Sequence, residues 1–176
     1  MKCTVMWVGC AAVLLAIYGC QKPSGGPSEN GKVVLPPEVA GTWRAKETPW
    51  TISITPDGKI SSVIIAMGEV LVRPNQTTKV EMKDGNFSTY EPGAFDLEYT
   101  PKTRELYVSV EIKRMHISLP GGWLDGNNTT RFTGPVSEDG KTWIADWIEL
   151  FDYGPRFPQD PNDAYNGPVT FEKISD

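Results

Sequence analysis

Histidine, cysteine and positive charge are all scarce in this 176-residue sequence, which has one histidine, three cysteines and a formal net charge of −5. A metal site built on imidazole normally needs two or three histidines, so His116 alone does not predict one. Binding to nucleic acid phosphates requires clustered lysine and arginine. Here acidic residues outnumber basic ones by 22 to 17. We therefore expect neither a bound metal nor a nucleic acid partner.

The short motifs that mark common catalytic and nucleotide-binding sites are also missing. The sequence has no Gly-x-Ser-x-Gly elbow, no phosphate-binding loop and no Gly-x-Gly-x-x-Gly fingerprint. A Ser-His-Asp set would need His116 beside an activated serine. We expect His116 to be an ordinary strand or surface residue, and we expect no catalytic residue and no cofactor.

No apolar run is long enough for a permanent transmembrane helix, which needs about 20 residues. Residues 5–18 are uncharged and follow Lys2, as in a secretory signal. The run ends in Ile17-Tyr18-Gly19-Cys20, which resembles the lipobox of bacterial lipoprotein precursors. The resemblance implies cleavage before Cys20, acylation of Cys20 with fatty acids such as palmitate, and attachment to a membrane of the cell envelope. An ordinary cleavable signal with an incidental cysteine is the alternative.

Cysteine usage agrees with the lipoprotein interpretation. Cys3 and Cys10 lie inside the expected signal, so the mature chain would keep only Cys20 and could form no internal disulfide. A lone thiol is unusual in an oxidising compartment, and acylation would remove it. In the lipoprotein family, Gln21 in place of aspartate after the cysteine favours the outer membrane if the source is Gram-negative.

The composition divides the chain into three parts. Residues 1–19 read as the signal peptide, residues 20–37 as the lipidated cysteine with a flexible linker, and residues 38–176 as a single β domain. The linker is rich in Pro, Gly and Ser and has too few apolar side chains to fold by itself.

The β domain is predicted from alternating apolar and polar residues, because no stretch has helical spacing over ten residues. Residues 94–100 and 104–113 form the clearest hairpin, and residues 129–136 and 141–151 form another. Asp-Gly pairs at Asp57, Asp84, Asp125 and Asp139 predict tight turns. We expect an all-β antiparallel meander of about eight or nine strands that closes as a barrel, with a β-sandwich as the alternative.

Gly41-Thr42-Trp43 leads into the first predicted strand and resembles the first strand of lipocalins and lipocalin-like barrels. The resemblance implies that Trp43 plugs one end of a barrel, with Lys173 at the position from which the family's arginine packs across it. We take Trp43, Trp123, Trp143 and Trp147 as the candidate ligand-binding residues. Trp123 is predicted on a loop over residues 119–126, where it either stacks on a sugar or anchors the loop.

The remaining candidates for catalysis or metal binding are carboxylates. Asp146 and Glu149 lie in the most apolar strand, but alternation places them on opposite faces, so they cannot form a glycosidase pair. We expect a structural ion pair with Arg131 instead. Asp160, Asn162 and Asp163 in a long loop over residues 152–168 offer oxygen ligands, but they lack the full spacing of a calcium loop.

These observations favour a non-catalytic envelope lipoprotein that binds a small apolar or amphipathic ligand, or a partner protein that the sequence does not identify. The alternative is a carbohydrate-active or carbohydrate-binding envelope protein that uses loop aromatics and carboxylates. A structural module without a ligand is a third interpretation.

Overall fold

The computed structural model describes residues 35–82, 85–119, 121–155 and 157–175. These residues belong to one compact unit, Lys32–Asp176. The predicted signal, the lipobox with Cys20, and nearly all of the predicted linker lie outside the described residues. Within the described ranges, no helix is both long and apolar enough to cross a membrane.

Ten antiparallel strands and two short 3₁₀ turns make up the fold. The strands are β1 (Gly41–Ala45), β2 (Thr51–Ile54), β3 (Ile60–Ile65), β4 (Val70–Val72), β5 (Thr78–Glu81), β6 (Phe87–Thr100), β7 (Glu105–Leu119), β8 (Gly122–Pro135), β9 (Thr142–Asp152) and β10 (Tyr165–Ser175). The 3₁₀ turns are Met67–Glu69 and Pro161–Ala164.

All ten strands belong to one sheet, in the order β4-β3-β2-β1-β10-β9-β8-β7-β6-β5. Strands adjacent in sequence are therefore paired, except β4 and β5, which form the two edges of the sheet, and β1 pairs with β10 to join the two halves. The remaining opening lies between β4 and β5, where the Thr78 hydroxyl donates to the Leu71 carbonyl at 3.0 Å. The fold is a nearly closed barrel, which confirms the predicted all-β meander and excludes the sandwich.

Two strands are longer than the sequence indicated. The strand expected at residues 94–100 begins already at Phe87 and forms the long strand β6, whose register against β7 shifts around Pro92. Such bulges accommodate a proline, which has no N–H for the ladder. Strand β8 begins at Gly122, so Trp123 and Asp125 lie in a strand. The predictions of a loop at Trp123 and of a turn at Asp125 were wrong.

The loop predicted over residues 152–168 is also shorter than expected. Asp152 ends β9, and β10 already begins at Tyr165, opposite Ile148. The Gln159 side chain covers the end of β9, because it donates to the Glu149 carbonyl at 2.6 Å and accepts from the Phe151 N–H at 2.9 Å. The chain returns to the sheet through the Pro161–Ala164 turn.

The two ends of the barrel differ. The closed end carries the turns at Asp57-Gly58 and Asp139-Gly140, where both glycines have positive φ, as predicted for these Asp-Gly pairs. The described chain begins at this end, where the Leu35 N–H donates to the Pro56 carbonyl at 3.1 Å. The open end carries the Met67–Glu69 turn, the tip of the β7–β8 hairpin and the loop after β9.

Aromatic side chains fill the interior from the closed end inwards. We call the column of stacked and edge-on rings the aromatic column; its members are Trp43, Trp143, Phe171, Phe132 and Trp50. Neighbouring ring centroids in the column are 4.7 to 6.3 Å apart. Contacts between aromatic rings in these geometries stabilise the folded protein beyond the contribution of the buried apolar area. Interior space lies next to Trp50, at the open end.

Candidate functional site

A small pocket lies inside the barrel where the aromatic column ends. Its lining residues are Trp50, Ile65, Ala66, Val110, Ile112, Met115, Asn128 and Glu149. The cavity measures about 20 Å³. Six of its eight lining residues are apolar or aromatic, so the two polar side chains, Asn128 and Glu149, determine its chemistry.

Adjacent strands bring these polar groups together. Glu149 on β9 is opposite Thr130 on β8, and Asn128 is one inward-facing position further along. The Asn128 amide donates to Glu149 Oε1 at 2.5 Å and to the Tyr153 hydroxyl at 3.2 Å. The buried Thr130 hydroxyl donates to Asn128 Oδ1 at 2.9 Å. The result is a connected polar network that fixes the carboxyl group in an apolar wall.

Burial changes the acid–base properties of this network. Loss of hydration raises the pKa of Glu149, and the hydrogen bond from Asn128 opposes that effect. Burial also raises the pKa of Tyr153, an effect that the Asn128 hydrogen bond opposes and that the neighbouring Glu149 charge increases. The pocket therefore favours a neutral carboxyl group, or a ligand that supplies a hydrogen-bond donor or positive charge to it.

Trp50 contributes an unsatisfied donor to the same pocket. Its side chain is 3% exposed, and its Nε1 has no hydrogen-bond partner among the described residues. The indole N–H of Trp147 is likewise buried and unpaired within the described part of the chain. Buried hydrogen-bond donors are usually paired, so a ligand group that accepts a hydrogen bond from the Trp50 N–H would satisfy this donor.

The four predicted ligand-binding tryptophans occupy three different environments. Trp43 and Trp143 are fully buried in the aromatic column and donate to the carbonyls of Val39 and Gly134. Trp147 is partly buried beside Phe132. Trp123 is 68% exposed on the outside of the open end. Trp43 and Trp143 therefore pack the interior, and none of the four lines the pocket.

The predicted plug at Trp43 has the expected neighbour. Trp43 pairs across the β1–β10 ladder with Lys173, whose ammonium group donates to the Pro37 carbonyl at 2.9 Å. The lysine thus ties the segment before β1 to the last strand at the closed end.

The two carboxylates of β9 point to opposite faces, as alternation predicts. Asp146 is exposed and accepts from the Tyr165 hydroxyl at 3.0 Å, whereas Glu149 faces the interior. Among the described residues, Arg131 forms no ion pair with either of them. The expected ion pair is wrong: Arg131 faces outwards opposite Ile148, whereas Glu149 faces inwards and accepts from Asn128, and the outward-facing Asp146 accepts from Tyr165 instead.

Asp160, one of the three candidate calcium ligands, has a structural role in its own turn. Asp160 caps the Pro161–Ala164 turn by accepting from the backbone N–H of Asn162 at 2.8 Å. The described residues contain no group of three or more histidine, cysteine, aspartate or glutamate side chains arranged to hold a metal ion.

Sequence reasoning missed Asn128, Trp50 and Tyr153 as neighbours of Glu149. The predicted strand began at Thr129, one residue too late to include Asn128. Continuing the alternation of Phe132 and Thr130 by one step would have placed Asn128 inside. Tyr153 follows β9 in the loop, and no periodic signal identifies its position.

Comparison with known proteins finds no family model, no curated protein and no solved structure that matches the chain.

Proposed function

We propose that this chain is a lipoprotein of the bacterial cell envelope whose barrel binds a small amphipathic ligand at its open end, without catalysing a reaction. The anchoring part of the proposal is supported by Lys2, the apolar run and Ile17-Tyr18-Gly19-Cys20. Acyl chains on Cys20 would provide the membrane contact, since each buried methylene contributes about 0.8 kcal/mol.

The ligand-binding part depends on one observation: the apolar pocket is lined by Glu149 and by Trp50, whose N–H is buried and unpaired among the described residues. A fitting ligand would accept a hydrogen bond from the indole and donate one, or place a positive charge, at Glu149. Its apolar part would contact Val110 and Met115. Such pockets, with apolar walls and a few convergent polar groups, are typical of small-molecule sites.

Size limits what can enter without movement. A cavity of about 20 Å³ accommodates about one water molecule. A larger ligand requires the Met67–Glu69 turn to move, since this turn follows directly after the lining residues Ile65 and Ala66. The turn includes Glu69 in the left-handed region at φ 53°, and it precedes the edge strand β4. Because Glu69 is strained and β4 is an edge strand, we expect the Met67–Glu69 turn to move at a lower free-energy cost than the rest of the pocket wall.

Native mass spectrometry of the full-length protein, extracted from its own membrane in mild detergent, tests ligand binding. We expect a reproducible mass excess beyond the lipid anchor. Glu149→Gln should lose most of that excess, because it removes the charge and keeps the shape. Glu105→Gln removes an exposed carboxylate from the outside of β7 and should retain the excess. A wild-type protein without bound mass would contradict the proposal.

Labelling with a radioactive or clickable fatty acid tests the anchor separately. Cys20→Ala should abolish incorporation of the label and leave the protein as an unprocessed precursor or in the soluble fraction. Continued labelling of Cys20→Ala would show that the cysteine is not the lipidation site, whatever the pocket binds.

A further inference from the structure

A second surface with binding chemistry lies outside the barrel at the open end, separate from the interior pocket. The rings of Phe87, His116 and Trp123 follow one another across β6, β7 and β8, and we call them the aromatic platform. Their centroids are separated by 5.6 and 6.1 Å, and each neighbouring pair is tilted by 34°. Phe87 is 40% exposed and Trp123 68%. Contiguous exposed apolar surface of this kind marks interaction sites.

Trp123 also borders a groove along the part of β8 that extends past β9. Pairing between the two strands ends at Asn127 opposite Asp152, and the groove occupies the space between residues 121–125 and the loop after β9. Tyr153 and Phe157 line its other side. Its volume of about 560 Å³ is within the usual range of ligand sites. The groove thus offers room that the interior pocket lacks.

Hydrogen-bonding groups adjoin the rings. His116 Nδ1 and Asp125 Oδ1 are 2.8 Å apart, and because a carboxylate accepts, the imidazole Nδ1 donates. This contact fixes both side chains next to Trp123. The Asp125 side chain is more than half exposed, so its carboxylate is accessible to a ligand on the rings. The surface combines flat apolar rings with fixed polar groups at their margin.

We propose that the aromatic platform and the groove bind a neutral carbohydrate chain. A pyranose ring has an apolar C–H face that stacks on aromatic rings and hydroxyl groups around its rim that bond to polar side chains, so it matches both features. The site goes beyond the interior pocket of the proposed function and shares no lining residue with it.

Charge and position argue against the other occupants of aromatic surfaces. One cation, Lys79 Nζ, lies 4.8 Å from the centroid of the Phe87 ring, but Asp125 is more than half exposed beside Trp123. The chain also carries a net charge of −5, which disfavours nucleic acid phosphates and anionic lipid headgroups. The described chain also begins at the closed end, near Pro56, so the platform is at the end of the barrel remote from Leu35.

Isothermal titration of the full-length lipoprotein in detergent micelles, with tryptophan fluorescence as a second readout, tests the site. The probes are a laminari-hexaose, a fully N-acetylated chito-hexaose and, as the anionic comparison, an oligogalacturonate. We expect at least one neutral probe to bind and the anionic probe to bind at least about tenfold more weakly. Trp123→Ala should weaken binding of the neutral probe by about tenfold or more, which corresponds to about 1.4 kcal/mol.

Two control variants test whether the loss of carbohydrate binding is specific to the aromatic platform. Ile144→Ala truncates a side chain that is 55% exposed on β9, away from the platform, and should bind the neutral probe like the wild type. Glu105→Gln should also bind it normally, because Glu105 is exposed at the start of β7, at the closed end of the barrel. The proposal is overturned if neither neutral probe binds, if Trp123→Ala binds like the wild type, or if Ile144→Ala and Glu105→Gln weaken binding as much as Trp123→Ala does.

Discussion

Trp143 and Trp123 are the same residue type in opposite environments. Trp143 is fully buried between Trp43 and Phe171 and donates to the Gly134 carbonyl at 3.0 Å, whereas Trp123 is 68% exposed. Trp143→Ala should lower the free energy of unfolding by about 3–5 kcal/mol, because it leaves a cavity and an unsatisfied carbonyl. Trp123→Ala should change it by less than about 0.5 kcal/mol.

Urea denaturation monitored by circular dichroism measures both values. Equal losses in the two variants would contradict the assignment of Trp143 to packing and of Trp123 to binding. The comparison also establishes that Trp123→Ala is folded, as its use in the carbohydrate experiment requires.

Glu149 should make the stability of the barrel depend on pH. Burial raises its pKa in the folded protein above the ordinary value of 4.5, so the folded state binds this proton more tightly than the unfolded state does. The contribution of Glu149 to stability is then most favourable in acid. It declines as the pH rises from 4.5 through the raised pKa of the folded state, and is constant above it.

Glu149→Gln should remove this dependence. The glutamine carbonyl can still accept from Asn128, and the side chain is neutral at every pH, so the variant should gain stability relative to the wild type as the pH rises from 4 to 8. Thermal unfolding across that range measures the difference, with Glu105→Gln as the control for net charge. A difference that does not change with pH would show that the Glu149 carboxyl group is not desolvated.

Residue-scale environments were only partly predictable from the sequence. Alternation correctly separated Asp146 from Glu149, because the period of a strand is fixed by its geometry. Alternation could not identify the hydrogen-bond partner of Glu149. Asn128 and Glu149 are 21 positions apart in the sequence, and their contact depends on the register between β8 and β9. Arg131 had the right charge for a partner but the wrong face of the sheet.

At the scale of the strand, Gly134 allows β8 and β9 to approach closely. A Cβ added at Gly134 would collide with the backbone carbonyl of Ile144. At Gly93 the three nearest atoms all belong to the Glu111 side chain, which can move if it gives up its hydrogen bond from the Ala94 N–H. Gly134→Ala should therefore lower the free energy of unfolding by about 1–3 kcal/mol, and Gly93→Ala by less than about 1 kcal/mol.

Chemical denaturation gives these two free energies. Hydrogen exchange of β8 and β9 shows whether the loss in Gly134→Ala comes from separation of the strands. Equal losses in both variants, or unchanged exchange at the β8–β9 ladder, would contradict the close-approach explanation.

Strand boundaries show where pattern reasoning succeeds and where it stops. The β6–β7 hairpin was predictable, because both strands alternate strictly and a polar turn joins them. The extension of β8 to Gly122 was not, because Gly121, Gly122 and Gly126 resemble turn residues in the sequence. Pairing with the long strand β7 keeps this segment extended, so a tertiary contact overrides the local signal.

At the scale of the molecule, the meander closes through pairing of β1 with β10. The edge strands β4 and β5 are not paired with each other, so we expect the barrel to open most easily between them. Pairing of the first and last strands is a whole-chain property that the sequence indicates only through the resemblance at Gly41-Thr42-Trp43. Because β10 pairs with both β1 and β9, the two halves of the sheet depend on each other. The edge strands β4 and β5 each have only one full ladder, with β3 and β6 respectively.

Hydrogen exchange of the whole protein should therefore follow the sheet order. Amides in β7, and in β8 over residues 128–133, should exchange only through global unfolding, because these residues are paired with a strand on both sides. Amides of β4 and β5 should exchange faster, through local opening that breaks one ladder and the Thr78–Leu71 hydrogen bond. Thr78→Val removes that hydrogen bond and should raise exchange in β4 and β5 while leaving β8 unchanged. If β4 and β5 proved as protected as β8, the barrel would be fully closed in solution, and entry of a ligand past the Met67–Glu69 turn would need another route.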